Sequence, residues 1–318
     1  MPNLPPIDSG YLTDLLVRLL NTPSPTGRAE PAIQLLEQEL ADFAPLSMER
    51  TRKGALVATW KVEGGLPAAA LTAHVDTLGA MVKAIKPNGR LQITRIGGLL
   101  LNAVETEGCW VFASHGEKVR GSLLIEAASG HVYGKQSMEM ARDEEHMEVR
   151  LDATTRSAQE TEALGIRVGD FIAFDPRAEV TEGFIRSRHL DDKACAAVIV
   201  SVMQALVQAG ASPARTVVFH FSNYEEVGHG AAAGIPDWVH ELVTVDMAAV
   251  GAGQSSDEFH PTICLKDSHG PYHHGFSQKL RAIAEANNIS YKTDIYPFFG
   301  SDGEAFWTAG GDAAVALI

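Results

Sequence analysis

Glu225 and Glu226 stand side by side in RTVVFHFSNYEEVGHG, residues Arg215–Gly230. An apolar run leads up to them and a Gly-rich turn follows, which predicts a buried strand ending in two carboxylates. Neighbouring residues at a strand end point in different directions. One carboxylate can therefore hold a cation while the other takes a proton from water. Adjacent Glu residues more often lie on a solvated face, so the pair needs company to mean anything. His74-Val75-Asp76 closes the strand-like AAALTAHVD, and residues i and i+2 of a strand share a face. A ligating His commonly donates its second ring N–H to a carboxylate, which suits His74 as ligand and Asp76 as its neighbour. A plain hydrogen-bonded pair at a strand end fits the same spacing. Asp191 and Asp192 open the most apolar helical stretch of the chain, LDDKACAAVIVSVMQAL. One Asp suffices to cap a helix; a second invites a cation, with Asp191 shared between two. Asp246 ends ELVTVDMA, where an Asp can also be only a turn former.

Three of these four clusters end predicted strands and the fourth opens a helix just after one. Ligands of open α/β sheets bind at the carboxyl ends of the strands. One convergent site is a simpler explanation than four coincidences. The donors are His and carboxylate with no thiolate, which suits zinc, cobalt or manganese. Several carboxylates at one point suggest two cations. A two-metal site lowers the pKa of a bridging water and stabilises a developing oxyanion, and a nearby carboxylate that is not a ligand serves as general base.

The elements that must position these groups are legible as a pattern. Helical spacing covers Ser9–Leu20 and Arg28–Phe43, separated by the turn TPSPTG (Thr22–Gly27). Gly54–Trp60 and Ala68–Val75 read as strands. From Asp191 onward, helix and strand alternate: a helix over Lys193–Gln208, strands at Thr216–Phe221, Glu241–Asp246 and Thr262–Lys266, a short helix after Gly228, a helix over Phe276–Asn287, and strands at Tyr291–Tyr296 and Ala313–Ile318. That alternation predicts an α/β fold, a mostly parallel sheet flanked by helices. Between about Gly79 and Gly183 it stops. The short runs AMVKAI, RLQITRI, CWVFAS, GSLLIEA, MEVRLDA and DFIAFDP predict an inserted small β-barrel-like domain. The expected division is residues 1–78 plus 184–318 for the discontinuous α/β domain and residues 79–183 for the insertion.

Composition excludes several classes. The 318 residues carry a net charge of −14, which argues against nucleic acid as a partner. No apolar run is long enough to span a membrane, and the N-terminus lacks the layout of a signal peptide. Cys109, Cys195 and Cys264 show no CxxC spacing and read as reduced thiols, so the expected compartment is the cytoplasm.

The ordered set HVDTLGAMV, HLDDKACAA, EEVG, VDMA and GSDGEAF resembles the glutamyl or deblocking aminopeptidases. These are dinuclear metallopeptidases of phosphorylase/hydrolase-like fold that assemble as tetrahedral dodecamers, some of them labelled cellulases. The resemblance covers nearly the whole chain. SRHLDDK and KDSHGPY look closest to a bacterial subgroup linked to synthesis of the osmoprotectant N-acetylglutaminylglutamine amide. It implies that two divalent metals, zinc or cobalt, are held by His74, Asp191, Glu226 and Asp246, with Asp191 bridging. It further implies Glu225 as general base, Asp76 orienting His74, Asp302 of GSDGEAF near the substrate, a peptide or peptide-like substrate, and a homo-oligomer contacted and roofed by the inserted domain.

One departure bears on activity. The family has a further His ligand after the last strand, and the sequence as given stops at Ile318. His269, His273 and His274 lie before a helix and read as a turn or helix entry. The expectation is one metal held well and the other poorly, unless a residue such as His189 or His229 takes the vacant position. The leading reading is an aminopeptidase acting through metal-activated water. An amidohydrolase or deacylase on a small peptide-like metabolite is the first rival and a non-catalytic assembly subunit the second. A glycosidase explains the paired carboxylates but neither His74 nor the Asp pair.

Overall fold

A computed structural model of the chain describes residues 4–43, 46–64 and 66–318. Two helices, α1 (Ser9–Leu20) and α2 (Glu30–Leu40), precede strands β1 (Leu46–Arg50), β2 (Leu56–Trp60) and β3 (Ala69–His74). Then come β4 (Gly79–Ile85), β5 (Leu91–Ile96), β6 (Gly108–Phe112), β7 (Lys118–Ile125), the short helices α3 (Gly130–Tyr133) and α4 (Lys135–Glu139), β8 (Met147–Leu151), α5 (Ala158–Ala163), β9 (Phe171–Phe174), β10 (Glu179–Thr181) and β11 (Phe184–Arg186). The chain continues through α6 (Leu190–Gln208), β12 (Val217–Ser222), β13 (Glu241–Thr244), β14 (Thr262–Lys266), α7 (His274–Ala286), β15 (Lys292–Ile295), α8 (Asp302–Thr308) and β16 (Ala314–Leu317).

Contacts divide the chain into two compact units. The first comprises the chain to Thr22, Ala29–Asp76 and His189–Ile318; the second comprises Pro23–Arg28 and Thr77–Arg188. In the first, eight strands form one sheet in the order β1-β2-β12-β3-β13-β16-β14-β15. Its centre, β12-β3-β13-β16, is parallel, whereas β1, β2 and β12 pair antiparallel at one side and β14 meets β16 antiparallel at the other. The sheet is thus mixed, with its parallel part where the predicted helix–strand alternation is cleanest. Strand β1, unmarked in the sequence, is mostly exposed and carries the polar run SMER, which has no apolar alternation to reveal it.

The apolar helix α6 buries Ala196, Ala197, Ile199, Val200 and Met203, and α1 buries Leu15, Leu16, Leu19 and Leu20. A fully buried Leu of this kind contributes about 1.5–3 kcal/mol. Parallel register sets Ser222 of β12 beside His74 of β3, and Thr244 of β13 beside Thr72. The polar residues that terminate these strands are therefore brought to one end of the sheet by backbone pairing alone.

In the second unit β4-β5-β8-β7-β6-β9 close into a barrel, and each of its strands falls on one of the β-rich runs of the sequence. Val82, Leu91, Ile93, Val111, Leu123, Val149 and Ile172 fill it. The turn residues Pro23–Arg28 belong to this unit: Thr77 N–H donates to Ser24 O at 2.9 Å and Arg28 stacks its guanidinium over Phe112. Gly79 is where the turn packs most closely. A Cβ there would stand 2.7 Å from Pro25 Cβ and 3.0 Å from Ile172 O. Because a carbonyl and a proline ring cannot swing aside, Gly79→Ala is expected to destabilise the barrel unit by about 1–3 kcal/mol. Calorimetric unfolding measures this, and an unchanged transition would show that the turn is free to yield.

Candidate metal and catalytic centre

His74 ends β3 and its ring is buried. Its Nδ1 lies 2.9 Å from the backbone oxygen of Asp76, and its Nε2 lies 3.0 Å from Asp191 Oδ1 and 3.6 Å from Glu225 Oε2. Nδ1 donates to the carbonyl, and Nε2 is turned towards the carboxylates, where losing its proton would free the lone pair that a metal ligand presents. Asp246 lies two residues beyond β13, in an extension of the ladder in which its N–H donates to Ile318 O. One donor atom each from His74, Asp191 and Asp246 falls within 4.8 Å of the others.

The Asp pair is presented by an irregular helix start. Asp191 and Asp192 have non-helical backbone angles and the peptide bond between them is cis. Asp191 faces His74, while Asp192 turns inward, where its Oδ2 accepts the His74 N–H at 3.1 Å. Asp192 Oδ1 is buried with no hydrogen-bond partner. Behind the pair is Lys193, fully buried, with Nζ donating to Leu19 O at 2.9 Å and Thr22 O at 2.7 Å. It ties the last turn of α1 to the start of α6 and so fixes where the pair sits. Burial pulls its pKa down to about 7.

Glu225 and Glu226 occupy a single 3-10 turn after β12, entered through Tyr224 in a left-handed conformation. Here Asp76 does something the sequence did not reveal. Its carboxylate accepts the amide N–H of Glu225 at 3.3 Å and of Glu226 at 3.4 Å. The same carboxylate is 3.7 Å from His74 Nδ1, and the Asp76 carbonyl holds the ring more closely, at 2.9 Å. Asp302, expected at the substrate, is buried and brought in as a brace. It accepts from Ser222 Oγ, from Ala231 N at 2.7 Å and from Thr72 Oγ1 at 3.3 Å. Such a side chain ties the ends of β3 and β12 together. His220, also buried, backs Thr72 at 2.9 Å.

The converging set is therefore His74, Asp191 and Asp246. Glu225 lies beside it, and Glu226, on the same turn, is outside the three-donor cluster. His189 directly precedes α6 as its N-cap residue, and His273, read as a helix entry, caps α7 by accepting from Phe276 N. Lys193, Ser222 and Thr72 escaped the sequence reading. The signal for Lys193 was a cation inside an otherwise apolar helix; Ser222 and Thr72 offered none.

Electrostatics follow from burial. Desolvation, then the charge of Asp191, pushes Asp246 up to about 8. Burial raises Asp192 and Glu225 as well. For His74 burial works downward, but the hydrogen bond to Asp191 and the charges of Glu225, Asp192 and Asp76 overcome it and raise the imidazole. Buried acids crowded around one imidazole, with an orphaned carboxylate oxygen among them, are the surroundings a cation satisfies.

The M42 glutamyl aminopeptidase family model matches residues 54–318. YhfE of Bacillus subtilis (strain 168), which carries the name of an aminopeptidase, is 42% identical over 306 residues, covering 96% of this chain and 88% of YhfE. The chain belongs to the M42 glutamyl aminopeptidase family. Among solved structures, an aminopeptidase of the archaeon Desulfurococcus kamchatkensis superposes with a TM-score of 0.83 at 22% identity, over 97% of this chain and 86% of that one. The Pyrococcus horikoshii TET1 peptidase, which assembles into a tetrahedron or a large octahedral shell, gives 0.82 at 21% identity over 96% and 89%. These likenesses agree with the sheet-plus-barrel architecture. As a member of an aminopeptidase family, the chain is a peptidase.

Protonation sets a testable sign. Asp192, Glu225 and Asp246 hold their protons to higher pH folded than unfolded, so their contribution to stability is full below the ordinary carboxylate range. It is lost as pH rises, for Asp246 through about 8. His220, lowered to about 4 by burial, opposes them but is a single group. Metal-stripped protein is expected to melt at progressively lower temperature between roughly pH 5 and pH 7. Added divalent cation should remove that slope. A metal-insensitive slope in differential scanning fluorimetry would contradict this.

Proposed function

We propose that this protein is a metal-dependent aminopeptidase in which His74, Asp191 and Asp246 hold one divalent cation and Asp191 and Glu226 contribute to a second, zinc or cobalt being preferred. The observation that carries the reading is the convergence of the His74, Asp191 and Asp246 donors at the carboxyl ends of parallel strands. The residues fit such a group: nitrogen and carboxylate donors, buried acids, and an unpartnered Asp192 oxygen. When bound, the cations supply Lewis acidity toward the scissile carbonyl and toward water.

The protein's own part is proton transfer and positioning. Glu225 is the general base. Its carboxylate lies 3.6 Å from His74 Nε2, on a turn fixed by Asp76. Burial raises its pKa, which suits a group that must take a proton from water and return it to the leaving amine. Asp191 faces the cation position, Asp192 stays behind it holding the backbone of His74, and Lys193 anchors the Asp pair. Asp302 keeps Ser222 and Thr72 in register beneath them. A peptide enters with its free N-terminus toward the carboxylates, which attract an ammonium group. The homo-oligomer, up to a dodecamer, belongs to the same reading, with the barrel unit supplying contacts between subunits. The assembly of the TET1 peptidase supports it.

Glu225→Gln keeps shape and removes proton acceptance. Turnover of dipeptides with a free N-terminus is expected to fall by ~10²–10⁴-fold or more while metal content is unchanged. Loss of metal with activity would make Glu225 a ligand instead. Equal or better hydrolysis of N-acylated dipeptides by the unmodified protein would favour a deacylase over an aminopeptidase.

A further inference from the structure

A second constellation shares none of its residues with the His74 cluster. Asp267 follows β14 and is fully buried, His269 is exposed two residues on, and Glu304 projects, mostly buried, from the first turn of α8. One donor atom from each lies within 4.8 Å of the other two. We propose that Asp267, His269 and Glu304 form a further divalent-cation site, of the zinc, manganese or cobalt class.

The local backbone builds it. Asp267 to Gly270 form a tight turn closed by Asp267 N–H to Gly270 O, and His269 N–H donates to Asp267 Oδ1 at 3.1 Å. Ser268 locks the turn to the segment before α8: its N–H donates to Phe299 O, its hydroxyl to Pro297 O, and its Oγ accepts from Phe299 N. That segment in turn delivers Glu304. Gly300 stands beside the cluster, where a Cβ would touch both His269 Cε1 and Glu304 Oε2.

Three observations point to a cation. Glu304 Oε2 is buried without a hydrogen-bonding partner, although His269 Nδ1 lies against it as an ion-pair contact. The carboxyl groups of Asp267 and Glu304 lie side by side, each with an oxygen within reach of one point shared with the imidazole. A shared proton can link the two carboxyl groups, whereas a divalent ion satisfies both of them and the imidazole as well. Asp267 also has the outer support that ligating carboxylates carry: Tyr272 OH donates to its Oδ2, and Ser301 Oγ lies 2.7 Å from that hydroxyl. Each carboxylate oxygen has two acceptor directions, so Asp267 keeps one for a cation. With His269 exposed, one side of the site is open to water or to a ligand atom.

Zinc content after equilibration and desalting, measured by inductively coupled plasma mass spectrometry, tests this independently of the reading of the His74 cluster. In a His74→Ala background, where that cluster is disabled, the protein should retain an equivalent that disappears in His74→Ala/His269→Ala. In the otherwise unchanged protein, His269→Ala and Asp267→Asn should each lower the count by one. His269 is exposed, so its replacement leaves the fold intact. Cobalt should give a visible d–d band lost with the same substitutions. Equal zinc content with and without His269 in both backgrounds would overturn the proposal and leave His269 as a surface ion-pair partner of Glu304.

Discussion

The structure turns on one electrostatic constraint: several carboxylates are held out of water around a single imidazole. Asp192 and Asp246 are almost wholly buried and Glu225 nearly so, and each is raised by desolvation before any neighbour is considered. Isolated buried carboxylates cost several kcal/mol each. They persist where protons or cations compensate them. The rest of the first unit can be understood as what forces these groups together in spite of that cost.

Backbone pairing does most of the forcing. Parallel register aligns His74 with Ser222, and the ladder beyond β13 carries Asp246 to the same end. Around this frame the polar supports are specific. Lys193 pins the Asp pair to the end of α1, Asp76 receives the amides of Glu225 and Glu226, and Asp302 stitches Thr72, Ser222 and Ala231. Function and stability are coupled here: the same burial that shifts the acids toward useful proton-transfer ranges is the burial the apolar strands and α6 provide.

Much of this was legible in the sequence because it depends on periodicity. The six barrel strands coincide with six short β-rich runs, and the strand-ending acids mark the parallel sheet ends. What escaped depends on direction rather than pattern. An HxD spacing says that His74 and Asp76 share a face, but not that the Asp76 carbonyl takes the ring while its carboxylate turns to the next loop. GSDGEAF marks Asp302 as notable without saying that its oxygens are spent on Ser222 and Ala231. The edge strand β1 has no apolar alternation, and α3, α4 and α5 are too short for a helical period to show. The spacing of His269, His273 and His274 before a helix marks a turn and a helix entry, yet the partner that gives His269 significance, Glu304, lies 35 residues away on α8.

The most direct test of the central claim is a crystal structure of the protein equilibrated with zinc, with anomalous differences recorded on both sides of the zinc edge. Buried-acid compensation by a cation requires a zinc peak coordinated by His74 Nε2, Asp191 and Asp246 at about 2.0–2.2 Å. A well-ordered His74 cluster with no anomalous peak, its carboxylates instead paired by protons or ordered waters, would contradict it.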